Sequence, residues 1–365
     1  MKKIGILTFW NVPNYGAYMQ AYALQKVLGD RFKEYEVYQI PYLNDKHYAV
    51  YYSSINRQYT YWFINPKFYI NLLKNKKRKE IVKCTKKFLD YYQEIPHENV
   101  DIKKQKLDCL VLGSDIIWDY SVKFFGKDRY LFGLGIDAKK KISYAPSFGT
   151  IVSGKDAPEY VRKGLKELDY ISVREEKSKS LVKEIADRDS AVVLDPTLIW
   201  RFDTDKNIVK PDIAEEYVIV YGSFFPDELI KGARDYCKKN GMKLICLSSL
   251  DDEHDWCDVI VNQDEINPFE WTGYFKHASA VMTCTYHGLL FGLIFKKKII
   301  FNPTKFIMEK AESLIKDLEM EDVLIKYTTF LEKVNWNWDY IKQDEKLNVL
   351  RQNSIDYLDG AIRNE

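Results

Sequence analysis

The chain is predicted to be an α/β protein of two parallel-sheet domains facing a cleft. Three observations carry that expectation. Short apolar runs end abruptly in small or polar residues, amphipathic stretches lie between many of them, and 365 residues are long for one core and comfortable for two. In the first half the strand-like runs are Lys3–Phe9, Cys109–Leu112, Lys141–Ala145, Tyr170–Val173 and Ala191–Leu194. In the second half they are Tyr217–Tyr221, Lys243–Leu247, Asp258–Val261, Ala280–Thr283 and Lys298–Phe301. Runs of this length, apolar at consecutive positions, fit strands buried on both faces under a layer of helices. The covering helices are read at Ala17–Leu28, Tyr160–Leu168, Lys177–Ala186 and Pro226–Asn240.

Polar residues Asp205, Lys206, Asn207 and Pro211 mark 203–216 as a linker. It separates a first Rossmann-like domain at 1–202 from a second at 217–345, and a C-terminal helix follows at 346–365. Residues 42–105 read as a helical insertion in the first domain, with aromatics at Tyr48, Tyr51, Tyr52, Tyr59, Tyr61 and Trp62. Nine basic residues against one acid, Glu80, then lie between Lys67 and Lys87. The plain reading is buried aromatics and solvated lysines. The functional reading is a sugar platform beside a surface that attracts anionic lipid, as a peripheral membrane contact, or a polyprenyl-phosphate carrier.

A net charge of +2 with 30% charged residues gives no overall reason to expect nucleic acid. The six cysteines form no Cys-x-x-Cys pair, which reads as reduced, cytoplasmic usage. After Met1-Lys2-Lys3 the apolar run ends at Trp10, too short for a signal peptide. The longest apolar stretch, Ala280 to Phe295, falls short of the ~20 residues of a membrane span. The chain is expected to be soluble.

Ligands of parallel sheets bind beyond the carboxyl ends of the strands, and the candidate residues cluster there. His287 sits in the strand-to-helix turn Cys284-Thr285-Tyr286-His287-Gly288. A helix start favours an anion, and a histidine beside it can hold a phosphate or carboxylate or move a proton near neutral pH. The plain alternative is a capping or core histidine. After the first strand, Asn14-Tyr15-Gly16-Ala17 opens a helix, with Gly16 allowing close backbone approach; no dinucleotide glycine fingerprint is present. Gly113-Ser114-Asp115 follows the second run: Asp115 is a base or hydroxyl acceptor, or with Ser114 an N-cap, and Trp118 is placed to pack on a sugar face. Arg174, at the end of Ser172-Val173, suits a bidentate grip on an anion, or else an ion pair with Glu175. Asp195-Pro196-Thr197 reads as a turn. The acidic stretch Asp251 to Asp258 lacks metal-ligand spacing and is read as a solvated loop, so no metal is expected.

Taken in order, these pieces resemble the polysaccharide pyruvyl transferase family. They are Asn14-Tyr15-Gly16-Ala17, Gly113-Ser114-Asp115 with Trp118, Ser143 to Gly149, Ser172-Val173-Arg174-Glu175, Asp195-Pro196-Thr197 and Thr285-Tyr286-His287-Gly288. The likeness runs through nearly the whole chain and is weakest over residues 45–105. Pro146 stands where the family usually has a small residue, and Tyr286 where phenylalanine is usual; neither removes a proton-carrying group.

The resemblance implies a fold like that of the GT-B glycosyltransferases, with the second domain as the donor side. It implies transfer of pyruvate from phosphoenolpyruvate, as donor substrate and without a further cofactor, onto two hydroxyls of one sugar. The products would be a cyclic ketal and phosphate. The implied acceptor is a saccharide of a surface polysaccharide or its precursor, free or linked to a polyprenyl phosphate. On this reading His287 and Asp115 are the catalytic pair. Arg174, Asn14, Gly16, Gly113, Ser114 and Gly288 hold the donor, and Trp118 and Tyr15 contact the acceptor. The competing readings are a nucleotide-sugar glycosyltransferase on the same architecture and a non-catalytic carbohydrate- or phosphate-binding protein of an assembly complex.

Overall fold

A computed structural model describes residues 1–47, 102–104, 106–125, 127–248, 254–263 and 265–364. The aromatic run from Tyr48 and the basic run Lys67–Lys87 lie outside the described residues. The chain divides into two compact units, one of Met1–Val173, Lys177–Ala191 and Ala361–Glu365, the other of Arg174–Glu176 and Val192–Gly360.

The first unit is built on four parallel strands: β1 (Lys2–Leu7), β2 (Tyr35–Gln39), β3 (Lys106–Leu112) and β4 (Asp137–Ser143), in the order β2-β1-β3-β4. Ile4, Ile6 and Leu7 of β1 and Leu110, Val111 and Leu112 of β3 are fully buried, which accounts for their central places. The Tyr15–Arg31 helix starts where the Asn14 side chain accepts from Ala17 N at 3.1 Å. It is buried along nearly all of its length to Leu28, so it is a core helix rather than a surface one. Further on, Ser143 and Ser172 tie the end of β4 to the short strand β5 (Ser172–Val173) through reciprocal hydroxyl–backbone bonds at 2.9 Å. Ala191, the first residue of β6 (Ala191–Val192), donates to Ile171 O at 3.0 Å.

The second unit carries five parallel strands: β7 (Tyr217–Tyr221), β8 (Lys243–Leu247), β9 (Val259–Val261), β10 (Ala280–Thr283) and β11 (Lys298–Phe301). Their order is β11-β10-β7-β8-β9. One sheet face packs Val218, Val220, Met282 and Ile300 against Leu229, Ala233 and Cys237 of the Asp227–Asn240 helix. Elsewhere in this unit Trp271 meets Tyr221 at 5.3 Å, Phe275 at 4.6 Å and Phe291 at 5.0 Å between ring centroids. Both sheets reverse strand order once, the first between β1 and β3 and the second between β7 and β10. These are the switch points where open parallel sheets bind ligands.

Two of the expected boundaries move. The units part at 191/192, not at 203–216. The stretch after 191 is anchored in the second unit by buried Leu194, Leu198, Ile199 and Phe202, with Phe202 5.3 Å from Phe291. Segment 203–216 has no helix or strand, yet it packs onto that unit: a Cβ on Gly273 would lie 1.7 Å from Val209 O. The last helix begins earlier than expected, at Ile341, and runs to Arg363. Arg351 of this helix donates to Leu198 O at 2.6 Å, and Leu194 N donates to the Ser354 hydroxyl at 3.0 Å. Among the described residues no helix is long and apolar enough to cross a membrane.

Candidate functional site

At the first switch point the chain ends of β1 and β3 are stitched together. The Thr8 hydroxyl donates to Ser114 O at 2.7 Å, Gln20 Nε2 donates to the Thr8 hydroxyl at 3.0 Å, and Gly113 N donates to Leu7 O at 2.9 Å. Gly113 is dictated by this stitch, because a Cβ there would sit 2.9 Å from the Thr8 Cβ. Asp115 then adopts a left-handed backbone, φ 77°, and Ala145 after β4 does the same at φ 56°. Neither is a glycine, so each holds a conformation that costs of order 1–3 kcal/mol and persists only where its surroundings impose it. The imposition is visible: Ser147 N donates to Asp115 O at 2.8 Å, and Asp119 pins the neighbouring loop. Asp119, fully buried, accepts from Thr150 N and Thr150 Oγ1 at 2.7 Å each and from Ser121 Oγ at 2.6 Å. The first unit thus carries a strained backbone at a strand's carboxyl end, with a half-buried carboxylate on it.

His47 accompanies Asp115, and no local motif around it marks the position. Its ring packs against Phe9 at 4.7 Å, Phe125 at 5.1 Å and Phe124 at 5.4 Å, leaving it 2% exposed. Burial pushes the imidazole down to about 4, the Asp115 carboxylate opposing more weakly. His47 is therefore neutral in the folded state while the unfolded chain protonates at about 6.5. Its stabilising contribution is complete above about pH 6.5 and is lost as pH falls toward about 4, a loss of about 3 kcal/mol. Urea unfolding of the wild type should lose that much more than His47→Phe across this window. Parallel pH curves for the two proteins would contradict the assignment.

At the second switch point β10 ends at Thr283, whose hydroxyl donates to Tyr221 O at 2.7 Å and accepts from Thr285 N at 3.1 Å. Thr285 caps the Tyr286–Ile294 helix, accepting from Gly288 N at 3.0 Å. Gly288 serves close packing: a Cβ would lie 2.1 Å from Thr283 Oγ1. His287 is thereby set in the first turn of a helix at the switch point, with its side chain 13% exposed.

Three segments distant in sequence meet at this histidine. Asp195, fully buried at its side chain, places Oδ2 3.3 Å from Arg174 Nη1 and 3.9 Å from His287 Nε2. Its Oδ1 accepts from Thr197 N at 3.0 Å and from Thr197 Oγ1 at 2.8 Å. Arg174 lies with its guanidinium 4.6 Å from the centre of the Tyr286 ring and its Nε 3.5 Å from Glu175 Oε2. A small cavity adjoins the group, lined by Arg174, Asp195, Tyr286, Lys310, Asp317 and Asn353 among others.

The placements sort the sequence candidates. His287, Gly288 and Arg174 come together in the second unit, and the structure adds Asp195 and Glu175 to them. Arg174, however, is no open anion grip: its side chain is 2% exposed and committed to two carboxylates. In the first unit Asp115 is at the strand edge, while Asn14 is the cap of its helix, Gly16 is buried in that helix and Ser114 is fully buried. Tyr15 is 2% exposed. Trp118 is a core residue rather than a sugar platform. It is fully buried, stacked 5.7 Å from Phe132, and its Nε1 donates to Leu131 O at 2.9 Å.

The fold and these residues define a parallel α/β protein whose ionisable side chains gather at the carboxyl ends of its sheets. A family model, polysaccharide pyruvyl transferase, matches residues 14–301, and the chain belongs to that family. Comparison with curated proteins finds no match. Among solved structures the chain is similar to the S. aureus MnaA–UDP co-structure, at 13% identity over 98% of this chain and 92% of that one, TM-score 0.47. It is also similar to the UDP-GlcNAc 2-epimerase from Methanocaldococcus jannaschii, at 13% identity over 97% and 99%, TM-score 0.44. A third is Arabidopsis thaliana UGT89C1, at 10% identity over 99% of both chains, TM-score 0.47. At this level of likeness nothing about donor or acceptor passes from those proteins to this one.

Proposed function

We propose that the protein transfers pyruvate from phosphoenolpyruvate onto two hydroxyls of one sugar, forming a cyclic ketal and releasing phosphate. The observation that carries the reading is His287, partly exposed in the first turn of a helix at the switch point, with a buried carboxylate 3.9 Å from its ring. Family membership supports the same class of reaction.

The chemistry asks for few groups. The C3 methylene of the donor gains a proton and C2 develops oxocarbenium character. An acceptor hydroxyl adds to C2 as its own proton leaves, the C2–O bond to phosphate breaks, and the second hydroxyl closes the ring. An acid and a base within hydrogen-bond reach are needed. His287 suits proton transfer to carbon or contact with the phosphate, since a helix start favours the anion and imidazole works near neutral pH. Asp115, held in a strained conformation on the first sheet's edge, is the residue proposed to take the acceptor's proton. The acceptor is proposed to be a saccharide, free or polyprenyl-phosphate-linked, met in the cytoplasm.

Calorimetric titration with phosphoenolpyruvate, and separately with a panel of nucleotides and nucleotide sugars, tests the donor. Saturable binding of phosphoenolpyruvate is expected. Nucleotide-sugar binding in its absence would overturn the proposal in favour of glycosyl transfer.

A further inference from the structure

Asp195 is more than a helix cap. Capping the short Pro196–Ile199 helix occupies only Oδ1, which takes the Thr197 amide and hydroxyl. Asparagine or serine would cap as well, without burying a charge. A fully buried carboxylate is costly unless its charge is used, and the second oxygen faces both Arg174 and His287. Arg174 is in turn held from three sides, by Asp195, by Glu175 and by the Tyr286 ring. The carboxylate therefore has little freedom to turn away from the imidazole.

We infer that Asp195 is a positioning residue: it orients the His287 ring through Nε2 and stabilises the imidazolium form that donates a proton. A carboxylate beside a catalytic imidazole does this elsewhere without itself becoming protonated. The inference rests on the pyruvyl-transfer reading for its link to turnover, but not for its link to the state of His287. The titratable and charged groups around the pair are Arg174 and Glu175 beside Asp195, Tyr286 next to His287, and Lys310 and Asp317 across the small cavity. Arg174 keeps its charge throughout the working pH range.

The test is Asp195→Asn, which keeps the cap and the volume and removes the charge. In protein with isotope-labelled histidine, the His287 ring, assigned by His287→Gln, should stay protonated to higher pH in the wild type than in D195N. That comparison needs no substrate, so it holds whether or not phosphoenolpyruvate is the donor. Turnover of D195N should fall roughly 10- to 1,000-fold with KM for the donor little changed, and the alkaline limb of its pH–rate profile should move to lower pH. Identical His287 titrations in the two proteins would overturn the inference. If D195N does not fold, the wild type alone decides: a ring already neutral at about pH 6, below the ordinary histidine midpoint, would overturn it.

Discussion

His287→Ala is expected to lower turnover by about two to four orders of magnitude, the usual worth of a positioned acid or base. The side chain is the partly exposed member of its cluster, at 13%, whereas Arg174, Glu175 and Asp195 lie at 2%, 5% and 0%. Of the four side chains it is the one most open to solvent. Loss of the ring leaves the Thr285 cap and the Gly288 contact in place, so the fold should survive. Phosphate release from phosphoenolpyruvate in the presence of acceptor, measured beside the melting temperature, separates the two effects. Near-normal turnover would remove His287 from the mechanism.

The largest effect on stability is expected at Arg174. Replacing it by methionine leaves Glu175 and Asp195 buried without their cation, and breaking a buried pair by removing one partner costs about 3–5 kcal/mol. Arg174→Lys should restore only part of this. Lysine supplies the charge but not the planar fork that meets two carboxylates and lies over the Tyr286 ring. Urea denaturation of both variants measures it. A loss below about 1 kcal/mol for Arg174→Met would mean the pair is solvated enough to be worth no more than a surface bridge. An arginine so enclosed holds two carboxylates in place rather than offering an open grip to an anion.

Much of this was legible in the sequence, and the exceptions share a cause. The strands Tyr217–Tyr221, Lys243–Leu247, Ala280–Thr283 and Lys298–Phe301 fall where the apolar runs place them, because strands buried on both faces leave a continuous apolar signature. Strand β2 has no such signature. Glu36 and Gln39 interrupt its pattern, and Gln39 is buried only because its amide finds Ala21 O at 3.0 Å. Asp195 read as a turn because its local signal, Asp-Pro-Thr, is that of a cap. The contact of its second oxygen with His287 is made by the fold, and no short pattern reports it. The place of Trp118 is illegible for the same reason, since an aromatic after a Gly-Ser-Asp loop looks alike whether it meets solvent or Phe132. The domain boundary shifted because polar composition marks 203–216 as irregular but says nothing about the buried anchors on either side of it.

The most direct measurement of the transfer incubates the protein with carbon-labelled phosphoenolpyruvate and a panel of pyranosides bearing free neighbouring hydroxyls, following phosphate release and product by mass spectrometry and carbon NMR. Stoichiometric phosphate is expected, with a sugar product heavier by one pyruvate less one water, the label in a quaternary ketal carbon, and both signals lost in His287→Ala. A glycosylated product that depends on a nucleotide sugar, with phosphoenolpyruvate left intact, would contradict it.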